Sequence, residues 1–270
     1  MSVITVSRGS FSGGRALAEC LATHLGYRCV GREAIVERAA ASGVSHQELL
    51  DALLKPPSFL DRFKHKRYQY LTLFQAALAE EVKSGKVVYH GNAGHLLLKG
   101  ARPVLRVRII APLEKRLAML EERLKLRGSA ARDYIEKVDE ERRKWTRYLY
   151  GVSWEDPALY DVVYNLEFFE IEEVCKSVTN IIQGAKSFQF SAECQADLEN
   201  LAIASRVRAN VALNPLTSHL EIEATAKNGH VKIKGKGCTP EEREEVERLA
   251  LAVPGVATVN VDELIPAAQV

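Results

Sequence analysis

No apolar run in these 270 residues approaches the ~18 needed to cross a membrane as a helix. The opening MSVITVSRG carries no charged leader and no cleavage site, so no signal peptide is expected. The five cysteines, Cys20, Cys29, Cys175, Cys194 and Cys238, include no CxxC pair, and the odd number suits five reduced thiols in a cytoplasmic chain. The seven histidines include no HExxH, and His90 and His95 are five apart, so no metal site built from side chains alone is expected. Low-complexity segments are absent as well. Hydrophobic residues make up 47% and charged residues 27%, which are values for a chain with a packed core.

The net charge of +2 conceals an asymmetry. From Ser187 onward there are 8 Lys and Arg against 12 Asp and Glu, while the part before it has 29 against 23. A basic first part suits an anionic ligand. An acidic second part argues against nucleic acid and anionic membrane as partners.

What is present reads as alternating strands and helices. VITVS is mainly apolar and alternates little, as a strand buried on both faces should. KVVYHG, VLRVRII and DVVYNL repeat that character. The spacing predicts helices over 14–25, 112–127, 130–149 and 170–184, with further helices in GREAIVERAAASG, SHQELLDALL and 59–84, the last two separated by Lys55-Pro56-Pro57. This order implies an α/β fold, a parallel sheet covered by helices on both faces. Beyond about residue 187 the pattern changes to one helix, two alternating runs around Asn228-Gly229, a helix opening at Thr239-Pro240, and a final strand. The expected division is a domain over 1–186, a linker over 187–192 and a small α+β domain over 193–265.

The stretch from Gly9 to Ala16, GSFSGGRA, lies between the first strand and its helix. Gly9, Gly13 and Gly14 let successive N–H groups turn inward, and the helix adds its positive end, which is how a backbone cradles phosphate. The same pattern also serves as a tight connection. A phosphate loop normally carries lysine where Arg15 stands and a hydroxyl where Ala16 stands. Arg15 supplies charge in a planar fork. Ala16 supplies no oxygen to magnesium, which leaves phosphates, water, Ser10 or Ser12. The segment DRFKHKRYQY (61–70) interleaves cations and aromatics, and a solvated helix face is its expected role.

ITVSRGSFSGGRALAECLATHLGY resembles the opening of the cytidylate kinase-like family of P-loop proteins, in which arginine at the lysine position is common. KVVYHGNAGHLLL, RVRIIAPLEKRLAMLEERLKLRG and VDEERRKWTRYLYGVSWEDPALYDVVYNLE resemble later family segments in order and spacing, together spanning about 1–185. The resemblance implies a P-loop kinase fold and an ATP- and Mg2+-dependent phosphotransferase acting on a nucleoside monophosphate or similar acceptor. Residues Gly9, Ser10, Phe11, Ser12, Gly13, Gly14, Arg15 and Ala16 would hold the donor phosphates. Arg15, Arg127 and Arg132 would act in transfer, with Arg116 and Arg123 beside them in the lid. Asn92, Asp139 and Arg142 would bind the acceptor, although the family usually has arginine where Asn92 stands. Ordinary helix ion pairing is the other reading of these arginines. A sensor that binds nucleotide without turnover is the other reading of the chain. RVRANVALNP, HLEIEATAKNGHVKIKG and LAVPGVATVNVDEL resemble a BON domain, which implies a regulatory or assembly module that binds a ligand or self-associates.

Overall fold

In the computed structural model, which describes residues 2–54, 64–91, 93–189 and 191–266, the alternating apolar runs become parallel strands. The elements are β1 (Val3–Arg8), α1 (Gly14–Leu25), β2 (Arg28–Gly31), α2 (Arg32–Ala40), α3 (His46–Leu54), α4 (Lys64–Val82), β3 (Val87–His90), α5 (Gly94–Leu97), β4 (Val104–Ile110), α6 (Leu113–Leu124), α7 (Gly128–Tyr150), β5 (Val162–Asn165), α8 (Ile171–Gly184), α9 (Ala192–Leu213), β6 (Glu223–Lys227), β7 (His230–Cys238), α10 (Pro240–Leu251) and β8 (Thr258–Pro266). Two compact units form. One holds the described residues up to Ala34 and those from Gly85 to 189. The other holds Ile35–Leu53, the helix ending before Ser84, and the chain from Ser191 onward.

In the first unit the sheet order is β2-β3-β1-β4-β5, and each neighbouring pair is parallel. β1 is central and buried along nearly its whole length, which is why its sequence is mainly apolar with little alternation, Thr5 and Ser7 being buried as well. Ile4, Val6, Leu105, Val107 and Ile109 pack against Leu17 and Leu21 of α1 and Val174, Val178 and Ile182 of α8. Sequence reading missed β2, a four-residue edge strand whose Arg28 and Cys29 are exposed. Too little of it is buried to leave an apolar signature. The expectation of five free thiols is corrected: Cys20 of α1 and Cys175 of α8 are joined by a disulfide, and Cys29, Cys194 and Cys238 are free. Their separation of 155 residues hides a pairing that only the packing of two helices creates.

The second unit has its own core, in which Val207 and Val211 of α9 meet Val231 and Ile233 of β7, Val246 of α10 and Leu264 of β8. Strand β6 pairs antiparallel with β7 through a turn in which Asn228 and Gly229 both have positive φ, and β8 adds in parallel. Helix α4 packs in this unit. The Tyr68 hydroxyl donates to Ile222 O at 2.6 Å and accepts from Ile222 N at 3.0 Å, while Arg208 donates to Gln75 at 2.8 Å. The expected solvated face on 61–70 does not hold for the described part: Arg67 and Tyr70 are buried, and Tyr70 donates to Glu48 at 2.8 Å. Residues 61–63 and the Lys55-Pro56-Pro57 break lie outside the described residues. No described helix is long and apolar enough to cross a membrane.

Two expected outcomes follow from this packing. Thr239 accepts from Glu242 N at 3.2 Å, and Glu242 accepts from Thr239 N at 2.7 Å, a reciprocal cap on α10. Thr239→Ala should cost about 1 kcal/mol in urea denaturation; an unchanged midpoint would show that the cap contributes nothing. His95 of α5 is buried, and burial, then the charges of Arg106 and Arg108, push its pKa down to about 4. The unfolded chain titrates near 6.5, so between about 6.5 and 4 it binds a proton that the folded chain refuses. Stability contributed by neutral His95 is therefore present above pH 6.5 and lost as pH falls toward 4. Replacing it in His95→Leu should flatten that part of the stability profile, and an unaltered slope would contradict the assignment.

Candidate functional site

The carboxyl ends of β1, β2 and β3 deliver Arg8, Gly31-Arg32 and His90 to one edge of the sheet, the edge where open parallel sheets bind ligands. The loop Gly9–Gly13 leads from β1 into α1. Gly13 is the N-cap, with φ 80°, and no side chain caps the first turn, which also carries no acidic residue. The leading N–H groups of α1 therefore remain available to an anion. Gly14 has a steric reason to be glycine. A Cβ there would sit 2.3 Å from Cδ of Arg8, whose side chain crosses the start of the helix.

Helices α6 and α7 clamp the loop from outside. Asp139 of α7 accepts from Ser10 N at 3.1 Å and Ser10 Oγ at 2.8 Å. Arg116 of α6 donates to Ser10 O at 2.8 Å and Ser10 Oγ at 2.7 Å, and pairs with Asp139. Phe11 packs against the buried cluster of Leu120, Ala131 and Ile135, its ring edge-on to Tyr134 at 6.0 Å. One residue further in, Ser12 Oγ donates to Gly9 O at 2.9 Å. The loop is thus shaped by side chains before any ligand arrives.

Positive charge accumulates behind it. Arg142, one turn after Asp139 on the same face of α7, donates to Arg8 O at 3.0 Å. Burial, then repulsion by Arg8, lowers its pKa to about 10, with Arg32 and Arg116 acting in the same direction. Arg8 is lowered too, by burial and then by Arg32, and its guanidinium lies 3.5 Å from His90 Nδ1. Burial and then Arg8 push His90 down to about 4, which keeps it neutral at pH 7. The Tyr89 hydroxyl and Arg32 Nε are buried, and neither has a hydrogen-bond partner among the described residues. A Cβ at Gly91 would collide with the Tyr89 hydroxyl at 2.2 Å and one at Gly94 with its ring at 2.5 Å, so these glycines leave room for Tyr89.

The structure thus brings Gly9, Ser10, Phe11, Ser12, Gly13, Gly14, Asp139 and Arg142 together. It places Arg15 elsewhere: exposed on α1 and paired with Glu19 at 2.8 Å. Ala16 follows in the first turn, half-buried. Arg127 is exposed and pairs with Glu121 at 2.6 Å, and Arg132 is exposed on α7. Asn92 lies outside the described residues. Sequence reading missed Arg8, Arg32 and Tyr89 as site residues. The signal was present: each stands at or beside the carboxyl end of a strand that a parallel sheet turns toward its ligand edge. The Trp154, Tyr160 and Asp161 segment is structural. Tyr160 donates to Trp154 O at 2.7 Å, and Asp161 takes both Arg106 Nη2 at 2.7 Å and Arg106 Nε at 3.1 Å.

If Asp139 clamps the loop, Asp139→Asn, which keeps an acceptor but loses the charge, should destabilise the chain by about 1.5–3 kcal/mol. Urea denaturation checks this, and an unchanged midpoint would remove Asp139 from that role.

Comparison with known proteins agrees with this architecture. The profile of the cytidylate kinase-like family matches residues 3–167, and that of the BON domain matches residues 200–265. The chain is similar to the cytidylate kinase of Ignicoccus hospitalis, 26% identical over 189 residues, 67% of this chain and 99% of the relative. It is similar also to the cytidylate kinase of Methanocaldococcus jannaschii, 30% identical over 110 residues, 40% of this chain and 61% of the relative. Among solved structures, an uncharacterized protein from Eubacterium ventriosum superposes with a TM-score of 0.55 at 14% identity, covering 68% of this chain and 99% of that one, a likeness of fold. Because the match over 3–167 spans the loop, its clamp and the sheet that carries them, the chain belongs to the cytidylate kinase-like family, with a BON domain following it.

Proposed function

We propose that this chain transfers the γ-phosphoryl group of ATP to a nucleoside monophosphate or a similar small acceptor. The observation that carries the reading is the set of guanidinium groups, Arg8, Arg32, Arg116 and Arg142, gathered at a glycine loop whose helix start is uncapped. Phosphoryl transfer asks little covalent chemistry of a protein; it needs alignment and positive charge. The donor set fits a polyphosphate, since the loop offers N–H groups and the carboxylate nearest to it, Asp139, is already engaged with Ser10 and Arg116.

Bound magnesium would neutralise phosphate charge. Ser10 Oγ already donates to Asp139 and accepts from Arg116, Ser12 Oγ donates to Gly9 O but keeps its lone pairs, and Ala16 has no hydroxyl. The ion would therefore be held through the nucleotide's phosphates and water, with Ser12 the loop hydroxyl left to reach it. The Tyr89 hydroxyl and Arg32 Nε, without a hydrogen-bond partner among the described residues while Arg32 Nη2 pairs with Glu33 at 2.7 Å, favour the acceptor. A buried donor left unsatisfied costs about 1–3 kcal/mol, which a polar acceptor group would recover. Arg15 reaches the donor phosphates by leaving Glu19. Exposed pairs of this kind are worth little, so the move is cheap.

We assign the kinase-like part to 1–186, a linker to 187–192 and the BON part to 193–265, the last as a regulatory or assembly module. A cleft of about 500 Å³ supports ligand binding in the second unit; Glu80, Lys83, Glu199, Arg206 and Val253 line it. The second reading, a nucleotide sensor without turnover, rests on the engaged Ser10 hydroxyl and on Ala16.

ADP release from ATP and magnesium across a panel of nucleoside monophosphates separates the two. Turnover with one acceptor is expected, and Arg15→Ala should weaken ATP binding by roughly tenfold or more. ATP binding with no turnover on any acceptor would select the sensor.

A further inference from the structure

Away from the phosphate loop, α1 and α8 bring four chemically matched side chains together. Cys20 and His24 lie one turn apart on α1, and Glu172 and Cys175 one turn apart on α8. His24 Nδ1 is 3.5 Å from Cys20 Sγ and 3.6 Å from Cys175 Sγ. His24 Nε2 is 3.2 Å from Glu172 Oε1, and the other carboxylate oxygen of Glu172 is 3.3 Å from Cys20 Sγ. The ligand atoms of Cys20, His24 and Cys175 all lie within 4.8 Å of one another.

We propose that, once the Cys20–Cys175 bridge is reduced, Cys20, Cys175 and His24 bind a zinc-class divalent cation. Tetrahedral bonds of about 2.3 Å to sulfur and 2.05 Å to nitrogen place those atoms roughly 3.6 Å apart. The two histidine-to-sulfur distances already match that edge. Glu172 supplies what a metal-bound histidine ordinarily has, a carboxylate accepting from the ring nitrogen that does not bind. With the proton on Nε2, the Nδ1 lone pair is free for the cation. The carbonyl oxygen of Cys20, 3.0 Å from Nδ1, stabilises the other tautomer in the bridged state. The fourth position remains for water or a second oxygen of the site. Two thiolates and an imidazole select zinc over magnesium or calcium, which prefer oxygen.

The chemistry balances. A thiol reductant, oxidised to its own disulfide, or a phosphine with water, oxidised to the phosphine oxide, supplies two electrons and two protons to the bridge and leaves two thiols. The cation then displaces both thiol protons to solvent and forms two metal–sulfur bonds, while His24 binds neutral. The bridge and the metal are alternative ties between the same two helices, and α1 is the helix that begins at the phosphate loop.

The test uses the full chain, reduced with a phosphine, desalted without oxygen and titrated with Co2+. One cobalt per chain with intense thiolate-to-cobalt charge-transfer absorption is expected, displaced by zinc and absent from the oxidised chain. Cys175→Ser should abolish the absorption, as should His24→Ala, whose exposed side chain makes misfolding an unsuitable explanation. Glu172→Gln should weaken binding by about 10–100-fold, and Cys29→Ser should change nothing. Absence of charge-transfer absorption in the reduced chain would overturn the proposal. So would absorption that survives Cys175→Ser and His24→Ala, because the cation would then sit on other thiols.

Discussion

Like charges held close together must be stabilised by something, and the ligand edge of the first unit is governed by that need. Burial and then Arg8 depress Arg142, and Arg32 lowers both Arg8 and Arg142. The fold tolerates this because the backbone helps. The carbonyl of Arg8 accepts from Arg142, and the Asp139 carboxylate takes the charge of Arg116 while fixing Ser10. What remains is an excess of positive charge beside an uncapped helix start, and a polyanion is the ligand class that relieves it.

The glycine loop is often described by its glycines, yet here it is built equally by α6 and α7. Phe11 anchors its tip in an apolar cluster, and Ser10 is gripped by two charged side chains of opposite sign. Exposed Arg127 is the N-cap of α7, and exposed Arg132 lies in its first turns. Ser10 and Phe11 tie the loop to both α6 and α7.

Much of the fold was legible because periodicity reports burial. The mainly apolar, little-alternating runs of β1 and β3 identify buried strands, and Asn228-Gly229 identifies a hairpin through the positive φ it requires. Edge strand β2 left no such mark. The i, i+3 spacing correctly put Asp139 and Arg142 on one face, but spacing says nothing about what the face meets; both contact the loop or the strand before it. Arg15 shows the converse. Its position in the motif is plain, while its conformation, set by Glu19 one turn on, is visible only in three dimensions. The Cys20–Cys175 pair, far apart in sequence, depends wholly on how α1 meets α8.

If the guanidinium groups at the loop form one polyphosphate site, calorimetric titration with inorganic triphosphate, alone and against ATP, detects it without requiring an acceptor or turnover. One triphosphate per chain is expected, with mutual exclusion with ATP and loss of both in Arg142→Met at unchanged circular dichroism. Simultaneous binding of ATP and triphosphate, or undiminished binding by a folded Arg142→Met chain, would contradict it.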